Sequence, residues 1–166
     1  EITTRLVGSE MCIRDSYYAD RFFTERIETG YGYLCVEGML DGKPTAVLLT
    51  RGDRYAAELL EELRERTPGI RILCAGKLPS GTAEKLSLRD ALAPAERRGR
   101  GNAYARGGWW LHDRILTDTA LTVIRADVFA RRDLLDPRSG TPLPTYRRQR
   151  YTGGIGRYFP IFLYIK

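Results

Sequence analysis

The sequence predicts one domain of mixed helix and sheet, an α/β or α+β fold, and three observations carry that expectation. One segment has helical apolar spacing, with Ala56, Leu59, Leu60 and Leu63 at i, i+3, i+4 and i+7. Short apolar runs bounded by turn residues lie on both sides of it, as strands do. Hydrophobic residues make up 43% and charged residues 29% of the 166 residues, which suits a chain with one sizeable core and excludes a disordered one.

Element by element, the order is as follows. Tyr17 to Glu28 has a short helical pattern. Tyr33–Val36 and Ala46–Leu49 flank the turn Asp41-Gly42-Lys43-Pro44 and predict a hairpin. The helix over 55–66 stops at Thr67-Pro68-Gly69, and Ile70–Ala75 is a short strand. Glu84 to Leu92 has the composition of another strand, ending at Ala93-Pro94. After a glycine- and arginine-rich loop, Ala103 to Thr119 is a helix candidate, although Gly107 and Gly108 each cost about 1 kcal/mol there relative to alanine. Leu121 to Phe129 is apolar on both faces, as in a central strand covered on two sides. Residues 131–144 form a polar connection, a short helix is expected around Tyr146, and a hairpin ending in 159–165 closes the order. Ser9 to Ser16 resembles a translated sequencing-adaptor read. Residues 1–16 are therefore expected to be a non-native leader and 17–166 a single domain.

The net charge of +6 is unevenly spread. Residues 1–96 hold 13 basic and 16 acidic side chains, a net of −3, whereas 97–166 hold 14 and 5, a net of +9. A basic half suits an anionic ligand: nucleic acid, a membrane surface or a phosphorylated cofactor. No apolar run approaches the ~18–20 residues of a membrane-spanning helix. The cysteines, Cys12, Cys35 and Cys74, are odd in number and lack paired spacing, so neither a disulfide framework nor a zinc site is indicated. A reducing, cytoplasmic setting is the expectation.

The candidate chemistry sits in Arg98-Gly99-Arg100-Gly101-Asn102-Ala103, placed by this reading between a strand and a helix. Glycines let backbone N–H groups approach an anion, and a helix N-terminus adds partial positive charge, so such a loop can hold a pyrophosphate. The alternative is a solvated basic turn.

Together with Leu88–Pro94, this loop resembles motif A of the GCN5-related N-acetyltransferases (GNAT), whose pattern Arg98, Gly101 and Ala103 meet. Residues 121–130 resemble that family's next strand, and Tyr146–Tyr151 its tyrosine segment, so the resemblance covers about 84–166. It implies a mixed, mainly antiparallel sheet with two splayed parallel strands and flanking helices. It also implies transfer of an acetyl group from acetyl-CoA to a small-molecule or peptide amine, by a monomer or homodimer. Leu92 and Ala93 would bond the pantetheine arm, and the backbone there would stabilise the oxyanion. Arg98, Gly99, Arg100, Gly101, Asn102 and Ala103 would hold the pyrophosphate, and Tyr146 would protonate the departing thiolate. Glu37 and Glu84 are candidate bases, although each reads first as a solvated surface carboxylate, and no metal is implied. Asn102, Gly107, Gly108, Arg131, Arg132 and Arg150 depart from the family pattern and point to impaired activity.

Three other readings were open at this level. Thirteen arginines from Arg97 onward suit a basic nucleic-acid-binding module. His112, the only histidine, sits in His112-Asp113-Arg114, which resembles half of a phospholipase-D-like motif; a phosphodiesterase of that kind would have to dimerise. Glu37-Gly38-Met39-Leu40-Asp41 resembles the start of a Toprim site, but Asp41-Gly42 is explained as a turn.

Overall fold

The computed structural model describes residues 25–29, 33–154, 156 and 158–166. The leader, Cys12 and most of the helix expected from Tyr17 lie outside them. Glu25–Thr29 is strand β1, not the end of that helix.

The hairpin forms as β2 (Tyr33–Leu40) and β3 (Lys43–Thr50), in register from Tyr33 opposite Thr50 to Leu40 opposite Lys43. Asp41 and Gly42 both have positive φ (51° and 68°), the geometry of the tight turn that a hairpin favours and Asp-Gly supplies. Helix α1 (Asp53–Arg66) buries Ala56, Leu59, Leu60 and Leu63, the four positions the spacing singles out. It carries the chain across to β4 (Arg71–Gly76), which pairs parallel with β3 over six residues.

Beyond β4 the structure departs from expectation. The strand predicted over 84–92 is a helical turn, α2 (Thr82–Lys85), a two-residue strand β5 (Arg89–Asp90) and the start of α3 (Ala93–Arg97). The helix predicted over 103–119 is three strands: β6 (Ala103–Ala105), β7 (Gly108–Trp110) and β8 (Arg114–Thr117). Arg106 and Gly107, both at positive φ, close the β6–β7 hairpin, so the glycine pair that weakened a helix is turn chemistry instead. β9 (Val123–Val128) is no central strand. Among the described residues it pairs only with β12 (Ile161–Ile165), and its first four residues are exposed or half-buried. Around Tyr146 lies another hairpin, β10 (Tyr146–Arg147) with β11 (Arg150–Tyr151), not a helix.

The main sheet runs β1-β2-β3-β4-β8-β5, antiparallel except for β3 beside β4. That parallel pair is a continuous ladder from Thr45–Arg71 to Thr50–Gly76, so the splayed strands of the acetyltransferase arrangement are not there. Alternation along the strands divides the core between two faces. Leu48, Ile72, Cys74 and Leu116 pack with α1, while Val47, Leu73, Ala75 and Ile115 pack with Val128, Phe159, Ile161 and Leu163 of the β9–β12 side. Two-sided cover explains why β4 reads as an unbroken apolar run. Each fully buried leucine or isoleucine contributes about 1.5–3 kcal/mol by leaving water.

Cys35 and Cys74 are free thiols within the first cluster, and burial is the main influence pushing each up to about 12. A thiol so held is not a nucleophile. Iodoacetamide at neutral pH is expected to leave both unmodified until denaturant is added; rapid labelling of the folded protein would contradict their placement.

Candidate functional site

The loop at 98–102 follows the C-terminal end of α3 and leads into strand β6, not into the N-terminus of a helix. The partial charge at a helix C-terminus is negative, and the cradle expected for a pyrophosphate is therefore absent there. Leu92 is fully buried at the N-cap of α3, its N–H donating to Asp90 Oδ1 at 2.9 Å, and Ala93 begins the helix. Neither lies on a strand edge that could bond a pantetheine arm. Ala103 is buried in β6. Gly101 is there for packing, since a Cβ would stand 2.3 Å from the Trp110 backbone nitrogen. Tyr146, 63% exposed, meets Tyr151 edge-on across its hairpin and faces no gap between strands. Glu37 pairs with Arg66 on α1, and Glu84 is exposed on α2.

What the fold does bring together is a polar knot at the base of the β6–β7 hairpin. Asn102 is fully buried; its amide donates to Asp113 Oδ2 at 2.8 Å. Its side-chain oxygen accepts the His112 N–H at 2.7 Å and the Asp113 N–H at 3.4 Å. Its carbonyl accepts the Phe159 N–H at 2.7 Å, which ties β6 to the segment before β12. One residue, through its side chain and its backbone carbonyl, thus joins three segments.

An aromatic group stands on this knot. His112 stacks flat on Tyr158, ring centroids 4.2 Å apart, and Trp110 meets His112 edge-on at 5.2 Å. Trp109 turns the other way and stacks on buried Phe159 at 5.3 Å, as strand alternation requires. Trp110, Tyr104 and Tyr158 line an open groove of about 370 Å³ between the two hairpins, closed on the far side by Pro142, Pro144 and Arg147. Arg147 is held by buried Asp136, whose carboxyl is kept below the usual range first by the Arg138 backbone N–H and then by Arg147. Nδ1 of His112 is buried and has no hydrogen-bond partner among the described residues.

Burial is the main influence on Asp113 and raises its carboxyl above the ordinary range, against the opposing pull of Asn102, His112 and Lys77. A carboxyl raised in the folded state contributes stability that is complete below its unfolded value and is lost as pH rises through its folded value. Asp113→Asn is therefore expected to be at least as stable as the parent at pH 7, with the parent gaining relative to it as pH falls through the carboxylate range. Urea denaturation at pH 7 and pH 4 checks this; a difference that widens in the opposite sense would refute it.

Sequence reasoning gave His112 no duty in the acetyltransferase register, and passed over Trp110, Tyr158 and Arg147. The available signal was Arg106-Gly107-Gly108 as a hairpin turn, which sends Trp109 and Trp110 to opposite faces.

No family model matches the sequence, and no curated protein matches it significantly. Solved structures do resemble the fold. A humanized TDP2 of D. rerio superposes with a TM-score of 0.53 at 10% identity, covering 81% of this chain and 60% of that one. A truncated Caenorhabditis elegans TDP2 gives 0.50 at 12% identity, covering 84% and 65%. The beta toxin of Staphylococcus aureus gives 0.50 at 16% identity, covering 81% and 57%. The chain spans about three-fifths of the length of these proteins. Their fold is the endonuclease/exonuclease/phosphatase fold. This finding overturns the GNAT resemblance and, with it, the acetyltransferase activity and acetyl-CoA as cosubstrate. The two alternatives, a simple basic binding module and a phospholipase-D-like dimer, do not match it either.

A divalent cation is a frequent companion of phosphate groups in protein sites. Magnesium requires a compact set of oxygen ligands, usually including one or two free carboxylates. Among the described residues no three His, Cys, Asp or Glu side chains gather closely enough to hold an ion. The carboxylates near the groove are already engaged, Asp113 by Asn102, Asp136 by Arg147 and Asp127 by arginines. The donors described do not fit a magnesium site. No helix among them is long and apolar enough to cross a membrane.

Proposed function

We propose that this chain supplies the ester-binding part of a phosphoesterase-type hydrolase, and that the groove between the β6–β7 and β10–β11 hairpins receives a phosphate ester carrying a flat organic group. The observation that carries this reading is the groove itself. In a fold shared with TDP2 and beta toxin, it combines the exposed aromatic rings of Trp110 and Tyr104 and the half-buried ring of Tyr158 with the Arg147 guanidinium. Aromatic faces take up a base or aryl ring by stacking, worth about 1–3 kcal/mol per ring, and a guanidinium pairs with phosphate oxygens. A nucleotide strand is the partner this combination suits best, and the +9 balance of residues 97–166 supports it. Within the groove the chain's own residues bind and orient. Asn102 fixes His112, and His112 backs the Tyr158 and Trp110 rings from behind.

Trp110 is 45% exposed, so its fluorescence reports occupancy of the groove. A short single-stranded oligonucleotide is expected to quench it saturably, and Trp110→Ala to weaken binding roughly tenfold, measured by anisotropy of a labelled strand. Absence of binding by the parent protein, or equal binding by Trp110→Ala, would overturn the proposal.

A further inference from the structure

We propose that Arg98, Arg100 and Arg125, gathered on the buried carboxylate of Asp127, form a second phosphoryl site that holds a backbone phosphate of a strand whose base lies in the groove. The inference rests on the groove reading above and extends it from one phosphate ester to a chain of them.

All three guanidiniums address one oxygen. Asp127 Oδ2 lies 2.7 Å from Arg100, 3.8 Å from Arg98 and 3.9 Å from Arg125. A single carboxylate neutralises one of these charges, leaving two in excess within one small volume. Like charges held so close repel one another, and a further anion relieves that repulsion. The carboxylate is well placed to organise them. Its side chain is 7% exposed, and Oδ1 accepts the Val128 N–H at 2.9 Å, so its orientation is set by β9. The arginines are free to engage outward, each side chain being more than half exposed. Arg125 is steadied further by the Phe162 ring, 5.4 Å from its guanidinium carbon. Guanidiniums grip phosphate oxygens through paired N–H donors, which suits a backbone phosphoryl group.

Position ties this cluster to the groove. Arg98 and Arg100 lie on the loop whose Gly101 packs against the backbone of Trp110 with no room for a Cβ, and Trp110 lines the groove. The loop cannot swing away without disturbing that contact. A strand with a base on Trp110 therefore passes the arginines with its backbone.

The test uses the double variant R98Q/R125Q, which keeps the 2.7 Å Arg100–Asp127 pair and so does not strand a buried charge. Anisotropy with a labelled thymidine oligonucleotide is measured across a salt series. Roughly tenfold weaker binding and a log–log salt slope smaller by about one to two are expected. Inorganic phosphate alone is expected to leave the melting temperature unmoved, and a shift as large as the oligonucleotide's would overturn the strand assignment. Unchanged affinity and slope in R98Q/R125Q, with Trp110→Ala still impaired, would overturn this site alone. No binding by the parent would overturn the groove reading together with it.

Discussion

Replacing Arg114 by methionine is expected to remove about 3–5 kcal/mol of stability, a large share of the 5–15 kcal/mol typical of a domain. The side chain is 8% exposed at the far end of β8, where it closes a cluster of three partners. It donates to Asp90 at 2.5 Å, to both oxygens of Glu96 at 2.7 and 3.0 Å, and to Ser80 Oγ at 3.0 Å. Burial, the largest influence, works against the charge, yet Glu96 and Asp90 together hold the guanidinium ionised above its ordinary value. The loss in the variant arises less from the missing bonds than from Asp90, left as a largely covered carboxylate, 13% exposed, without its Arg114 partner. The cluster also joins β5, α3, β8 and the Ser80 turn, segments with few ladder bonds of their own. Urea denaturation at pH 7 checks the value. Adding D90N and E96Q to the methionine variant is expected to restore part of it, because no uncompensated charge then remains. A loss below 1 kcal/mol would show that the cluster is not a buried one.

Asn102→Leu is expected to cost about 3–4 kcal/mol and to abolish oligonucleotide binding by the groove. Leucine keeps the number of side-chain heavy atoms but is bulkier, so in this fully buried position some overpacking adds to a polar cost. It leaves the N–H groups of His112 and Asp113 and the Asp113 carboxyl without the partner each has now. An unsatisfied buried group costs about 1–3 kcal/mol, and the three share one neighbourhood, so their losses are not additive. Binding falls as well because His112 is the ring on which Tyr158 lies and against which Trp110 stands. Chemical denaturation and anisotropy read the two effects separately. A destabilised variant that still binds like the parent would mean that the knot supports the fold and not the groove.

Both variants concern residues to which local patterning gave a different duty, and the reason is physical. Helix α1 was legible because its four apolar positions repeat with the helical period and face one surface. The β2–β3 hairpin was legible because Asp41-Gly42 carries its own turn geometry. The segment 103–119 was misread because strands of three or four residues hold too little alternation to outweigh a helical reading, and their partners are distant in sequence. β9 looked central from its apolar content, whereas its only strand partner among the described residues lies more than thirty residues on, at β12. The resemblance to an acetyltransferase motif rested on Arg98, Gly101, Ala103 and Tyr146. Tertiary structure gives those residues unrelated duties: an ion pair, a backbone contact, a buried strand position and an exposed hairpin ring.

By itself, then, the sequence determined the β2–β3 hairpin, helix α1, the short strand after it, and the concentration of positive charge after residue 97. These follow from local periodicity, turn chemistry and composition, which a linear chain displays directly. Only the tertiary structure decided where the charge points and which aromatic rings share a groove. It also decided that one asparagine joins His112, Asp113 and Phe159. Such groupings depend on contacts across ten to nearly sixty residues, and those exist only once the core on both faces of the sheet has fixed the strands in register.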